Sequence, residues 1–260
     1  MVTSTGGYLR AVRLVRDRVR DFEVYPFSIP SIRSLEDLEL DAKVTFLIGE
    51  NGSGKSTLIA AIAVLAGFNA EGGSKNFRFG TRRSESCLHQ FMRPVRSHRR
   101  PKDGFFLRAE SYFNVGTEIE RLDEDGGPGR IIDAFGGVSL HEQSHGESFL
   151  ALATHRCRGQ GLYILDEPEA ALSPQRQLTL LSIMNEHVEE RASQFVIATH
   201  SPILMAYPKA LIYRLGPKGI ERVAYEETEH YTITRDFLSS PERYFKRLFA
   251  PSKDDAGDDS

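Results

Sequence analysis

Nine consecutive residues, Gly49-Glu50-Asn51-Gly52-Ser53-Gly54-Lys55-Ser56-Thr57, carry the clearest chemistry in this chain. Glycines at 49, 52 and 54 let a backbone curl with its N–H groups facing inward, a nest for phosphate oxygens. Lys55 is then placed to reach the β- and γ-phosphates of a nucleoside triphosphate, and the Ser56 hydroxyl to ligate Mg²⁺. About a hundred residues later, Asp166 and Glu167 stand side by side. One carboxylate suits Mg²⁺ and its neighbour suits polarising an attacking water. His200, followed by Ser201-Pro202, is a candidate contact to the γ-phosphate that positions this water.

Each group needs an element to present it. Val44–Ile48 is apolar and rich in β-branched and aromatic types, which predicts a buried strand running into the glycine loop. Thr57 to Ala66 reads as a helix, with Gly67 where a helix usually stops. Strand, glycine loop and helix together give the phosphate-binding context that a bare glycine pattern lacks. Gly161–Leu165 predicts a second buried strand delivering Asp166 and Glu167, and Phe195–Thr199 a third delivering His200. Residues at the carboxyl ends of parallel strands share one sheet edge, where such sheets bind ligands. A further segment, Gln143-Ser144-His145-Gly146-Glu147, precedes a helical stretch over 147–153. The Ser144 hydroxyl, the Gly146 N–H and the helix start form an anion cradle, and Ser144 with Glu147 also has the spacing of a capping box.

With these motifs in place the chain resembles the ATP-binding cassette (ABC-type) ATPases over about residues 40–215. Lys55 matches the Walker A lysine, Asp166 and Glu167 the Walker B pair, Ser144 to Glu147 the signature motif, and His200 the switch histidine. The resemblance implies an α/β P-loop NTPase fold: a mostly parallel central sheet, an N-terminal antiparallel β part and a short helical subdomain. It implies ATP and Mg²⁺ as ligands, Glu167, His200 and Lys55 as catalytic residues, and Ser56 with Asp166 as metal ligands. Gly49 through Thr57 would hold nucleotide from one subunit, and Ser144, Gly146 and Glu147 would complete the site of a second. An ATP-dependent homodimer follows, expected to use its cycle to clamp or remodel a partner, with nucleic acid (in DNA repair, maintenance or defence) as the candidate.

Two places depart from the transporter form of that family. Asp166-Glu167-Pro168-Glu169-Ala170-Ala171-Leu172-Ser173-Pro174 has Ser173 where transporters carry an aspartate. The Asp-Glu-Pro-Glu form resembles stand-alone soluble ATPases related to the RecF, OLD and SMC-like branch. On this reading a transporter partner is unlikely, and transport stands as the alternative function. The glutamine loop is the second departure, with Gln90 in a helical stretch and Glu110 within a strand-like run over 104–111 both open as candidates.

The 260 residues carry 40% hydrophobic types, enough for one sizeable domain, assigned to 1–250 with an insertion at about 70–140. Net charge is −3, too small to imply a partner. Residues 75–108 nonetheless hold ten basic side chains against two acidic ones, a patch suited to nucleic acid or to a solvated loop. Two cysteines without metal-like spacing, no apolar run near membrane-span length and no secretion signal give a cytoplasmic expectation. Tyr25 and Phe27 are expected to pack in the core, with adenine stacking as the alternative. Asp123–Gly129 reads as an exposed loop, residues 235–249 as one amphipathic helix, and 251–260, with four aspartates, as a disordered acidic tail.

Overall fold

The apolar runs expected to be strands lie next to one another in a six-stranded sheet. The computed structural model describes residues 7–70, 72–73, 86–108, 121, 123, 145–156 and 159–250. The strands are β1 (Leu9–Leu14), β2 (Asp37–Glu39), β3 (Val44–Ile48), β4 (Met92–Arg96), β5 (Asp103–Arg108), β6 (Gly161–Asp166), β7 (Gln194–Ala198), β8 (Leu211–Gly216) and β9 (Gly219–Val223). The large sheet runs in the order β5-β6-β7-β3-β8-β9. Its first five strands are parallel, and β9 returns antiparallel to β8 through a two-residue turn. A smaller antiparallel sheet, β2-β1-β4, completes the α/β architecture. Its strand β4 comes from the middle of the chain, so the antiparallel part is not wholly N-terminal.

Helices cover both faces of the large sheet. They are α1 (Pro30–Arg33), α2 (Lys55–Ala66), α3 (His145–Arg156), α4 (Pro174–Arg191), α5 (Pro202–Met205), α6 (Glu229–Ser239) and α7 (Pro241–Leu248). The period of two along each strand sends alternate residues to opposite faces. Val44, Phe46 and Ile48 join a core with Phe149 of α3 and Leu180, Met184 and Val188 of α4. Leu47, Phe106, Ile164 and Val196 face the other way, onto α2 and the small sheet. Helix α2 is thus enclosed on two sides, which is why its sequence is apolar around most of its circumference. Leu58, Ile59 and Ile62 are 0% exposed, and each such burial stabilises the fold by about 1.5–3 kcal/mol.

Gln194 fixes one sheet relative to the other. Its Oε1 accepts the N–H groups of Tyr8 and Leu9 at 2.9 and 3.0 Å, and its Nε2 donates to the carbonyls of Leu9 and Asp41 at 2.7 and 2.8 Å. A buried amide with its donors and acceptor engaged is a rigid tie between β7 and the segment leading into β1.

The C-terminal region departs from the expected single helix. A helix starts earlier, at Glu229, where the Thr228 side chain accepts Tyr231 N–H at 3.2 Å. It stops at Ser239, and Pro241 begins a second helix, since proline tolerates only the first turn. Phe27 is buried as expected, whereas Tyr25 is 62% exposed. Among the described residues no helix is long and apolar enough to cross a membrane. The acidic tail, Glu110, Ser144, all of the Asp123–Gly129 loop except Asp123, and Lys75, Arg78, Arg82 and Arg83 of the basic segment lie outside the described residues.

Candidate functional site

Strand register places the site. Arg108 pairs with Asp166, Asp166 with Ala198, and Ala198 with Leu47, giving one row across β5, β6, β7 and β3. Neighbouring strands are about 4.8 Å apart, so the residues one or two positions further on emerge together. These are Glu167, His200 and Gly49. The three motifs expected to share a sheet edge do so.

The glycine loop has the backbone geometry that only glycine supplies cheaply. Gly49 has φ of +148° and Gly54 of +96°, in the range that side chains disfavour. A Cβ on Gly49 would sit 2.3 Å from the Leu215 carbonyl oxygen, and one on Gly54 would sit 2.9 Å from Ser31 Oγ. These contacts seat the loop against the end of β8 and α1, and the glycines let its backbone take the curl that a phosphate-binding nest requires. Ser31, in α1, braces the loop by donating its hydroxyl to the Ser53 carbonyl. Glu50, Asn51 and Gly52 are exposed at the loop's crest, and Ser53, Ser56 and Thr57 are partly buried.

Lys55 is 3% exposed, and its Nζ donates to the Gly49 and Glu50 carbonyls at 2.8 and 3.0 Å. Burial pushes the ammonium below its usual pKa, while Glu167, Asp166 and Glu169 pull the other way. A charge so held offers phosphate oxygens a partner already stripped of water. Ser56, Thr57, Tyr25, Ser86, His89 and Arg108 line an adjoining pocket of ≈ 190 Å³. Gln90 is exposed beside this lining, on the short turn Cys87–Phe91.

Asp166 is buried, with Arg108 Nε 3.4 Å from its Oδ2. Among the described residues no cluster of three or more His, Cys, Asp or Glu forms a metal centre. One hydroxyl and one carboxylate, Ser56 and Asp166, fit a hard ion that takes its remaining ligands from substrate phosphates and water.

Glu167 adopts the left-handed conformation at φ 53°, unusual for a residue with a side chain. Its N–H donates to the Ala198 carbonyl at 2.9 Å. Its Oε1 lies 3.5 Å from His200 Nε2. Burial first, then Lys55, holds His200 below the usual histidine pKa, while Glu167 opposes both. A neutral imidazole beside a carboxylate can carry its remaining proton toward an incoming oxygen.

Three residues that sequence reasoning left out belong here. Glu169 accepts the Thr199 hydroxyl at 2.8 Å and also the His200 N–H. Burial raises its carboxyl above the usual range. His230, from α6, places Nε2 3.3 Å from His200 Nδ1. Arg108 ends β5 in register with Asp166. The strand reading of 104–111 held the signal for Arg108. His230 had none, since it lies thirty residues from its partner.

The signature segment is described only in part. Gly146 is buried against α4, where an added Cβ would meet Arg176 Nη1 at 2.3 Å and the Ala171 carbonyl at 2.9 Å. Glu147 pairs with Arg176 at 3.2 Å. The described residues of the basic segment do not gather into one face. Arg96, Arg99 and Arg100 line a second pocket with Leu162, at the start of β6. Arg108 sits at the opposite end of β5, roughly 16 Å away along the strand.

Models described as "AAA domain, putative AbiEii toxin, Type IV TA system" and "AAA domain" match residues 94–206 and 27–124. The chain is 30% identical over 175 residues to the thiamine import ATP-binding protein ThiQ of Vibrio vulnificus, covering 63% of this chain and 73% of that one. It is 22% identical over 232 residues to the tungstate uptake system ATP-binding protein TupC of Campylobacter jejuni, covering 82% and 70%. Solved structures of similar fold include the SMC head domain from Thermotoga maritima (18% identity, 84% and 99% covered, TM-score 0.45). Another is cbiO1 from Clostridium perfringens, part of the ABC transporter complex cbiONQ (17%, 83% and 91%, TM-score 0.44).

The match to ThiQ overturns the expectation that this chain is a stand-alone ATPase of the RecF, OLD and SMC-like branch, and with it the reading that a transporter partner is unlikely. The residues behind that expectation have local explanations. Ser173 is the residue before α4, and Pro174 occupies the first helical position. Glu169 is recruited by Thr199 and His200. The 166–174 turn is thus shaped by its own hydrogen bonds and helix start, and does not report lineage. The chain belongs to the ATP-binding cassette family of ATPases, with importer ATP-binding proteins among its relatives, and it hydrolyses ATP.

Proposed function

We propose that this chain is the ATP-hydrolysing subunit that energises a membrane-embedded transport partner, working as a pair of copies closed around two ATP molecules. The observation that carries this reading is the 30% identity over 175 residues with an import ATP-binding protein. The named cargoes of the two relatives, thiamine and tungstate, are chemically unlike. What they share with this chain is the ATP chemistry, and the cargo belongs to the partner.

In the proposed cycle, the inward N–H groups of residues 49–57 and the Lys55 ammonium hold the β- and γ-phosphates. Ser56 and Asp166 would hold Mg²⁺, which when bound neutralises phosphate charge. Glu167 orients the attacking water and accepts its proton at a carboxylate oxygen. His200 donates from Nε2 to a γ-phosphate oxygen. Ser144 and Gly146 of one copy meet the nucleotide held by the other, so that ATP binding is linked to association.

Glu167→Gln removes the proton acceptor and keeps the shape. In saturating Mg-ATP this variant should double in mass by light scattering. It should also co-purify with an integral membrane protein from detergent-solubilised membranes of its native host. A variant that stays monomeric overturns the paired cycle, and one that doubles yet brings down no membrane protein overturns the transport reading.

A further inference from the structure

We infer that His230 is a positioning residue for the ATPase reaction, one that fixes the ring of His200 in the tautomer with its proton on Nε2. The inference rests on the proposed role of His200 at the γ-phosphate. The two rings lie with centroids 5.4 Å apart at 55°. His200 Nδ1 is 3.3 Å from His230 Nε2, and His200 Nε2 is 3.5 Å from Glu167 Oε1. A neutral imidazole has one N–H and one bare nitrogen. Facing a carboxylate, Nε2 must carry the proton, because a lone pair there would repel both Glu167 and an incoming phosphate oxygen. Nδ1 is then bare and needs a donor. Among the described residues His230 Nε2–H is positioned to supply it.

The fold holds His230 in place by several ties. Thr228 caps the first turn of α6 through Tyr231 N–H. Just upstream, the Tyr225 hydroxyl donates to the Pro202 carbonyl at 2.9 Å, two residues beyond His200. The backbone of His200 is held from the other side by Glu169. Its ring and its main chain therefore have separate supports, and only the ring depends on α6. The charged groups facing this pair are Lys55 from α2, Glu167 and Glu169 from the turn after β6, and Glu229 from α6. Burial disfavours charge on both rings, so the neutral N–H···N arrangement is the one the site favours.

His230→Phe keeps a ring but removes the donor, whereas His230→Gln offers an amide N–H at similar reach. In steady-state ATPase assays, His230→Phe should lower kcat about 10-fold with KM for ATP changed less than about twofold. His230→Gln should recover to within about threefold of the wild type. Combined with His200→Gln, His230→Phe should cost nothing further, because the two residues act as a unit. Two-dimensional ¹H–¹⁵N spectra of the histidine rings should show His200 protonated at Nε2 in the wild type, and a mixture of tautomers in His230→Phe. This readout needs no turnover. Equal activity of Phe and Gln variants, an additive double variant, or a wild-type His200 protonated at Nδ1 would overturn the inference. If His200→Gln alone leaves kcat unchanged, the γ-phosphate role of His200 fails instead, whatever the spectra show about His230.

Discussion

The phosphate loop and the group around His200 face one another across the same sheet edge, yet they are built in different ways. The loop is nine consecutive residues whose ligand-facing groups are mostly backbone, braced at one point by Ser31. The facing group draws Glu167 and Glu169 from the end of β6, His200 from the end of β7 and His230 from α6. A contiguous loop keeps its shape through local φ values that glycine permits. A group gathered from three elements keeps its shape only while the core holds those elements in register. Side-chain substitutions at Lys55 or Ser56 should therefore act on nucleotide chemistry with little change in the fold, whereas those in the gathered group should act through one another.

The largest effect that would test this contrast is expected from Lys55→Met. Loss of the buried ammonium should lower kcat about 100-fold or more. The apo protein should melt no lower than the wild type, because a charge costly to bury has been removed. A clear fall in melting temperature would show that the lysine is also holding the fold, and the contrast would fail.

A smaller effect is expected from Glu169. Glu169→Ala removes the acceptor for His200 N–H and for the Thr199 hydroxyl and should lower kcat about 10-fold without changing the KM for ATP. Glu169→Gln should keep most of the activity, since its Oε1 can accept His200 N–H while its Nε2 donates to Thr199 Oγ1. Equal loss in both variants would mean that the carboxylate charge matters rather than its geometry.

The smallest effect is a dependence of stability on pH. His187, His200 and His230 all have folded-state values lowered chiefly by burial. Below about pH 6.5 the unfolded chain gains protons that the folded state resists, so their contribution is present above that pH and lost as pH falls. Glu169, raised by burial, has the opposite sign: its contribution is present at low pH and lost as pH rises through its folded value. Urea midpoints should therefore fall between pH 7.5 and 5.5. The fall should be smaller in a His200→Gln, His230→Gln double variant, which leaves only His187 of the three. An unchanged slope would place the titrating groups elsewhere.

Much of this arrangement was legible in the residues themselves. Apolar runs of five or six residues ending in Gly49, Asp166 and Thr199-His200 announced three buried strands, and parallel pairing put their ends together. The glycine spacing announced the nest. The lineage drawn from Asp166–Pro174 was misread, because Glu169 and Ser173 answer to a hydrogen bond and a helix start within this molecule. Tyr25 was expected in the core and is exposed, with its hydroxyl 3.3 Å from Thr57 Oγ1. Phe27, two residues on, is in the core as expected.

The sequence by itself determined the phosphate loop, the carboxylate pair and the strands that deliver them, because each is encoded within about ten consecutive residues. Only the tertiary structure decided that Arg108 meets Asp166, that Glu169 holds His200 and that His230 stands behind it. Those meetings depend on register and on packing between distant elements, and no local pattern of residue types records which side chains will share a space once the core has closed.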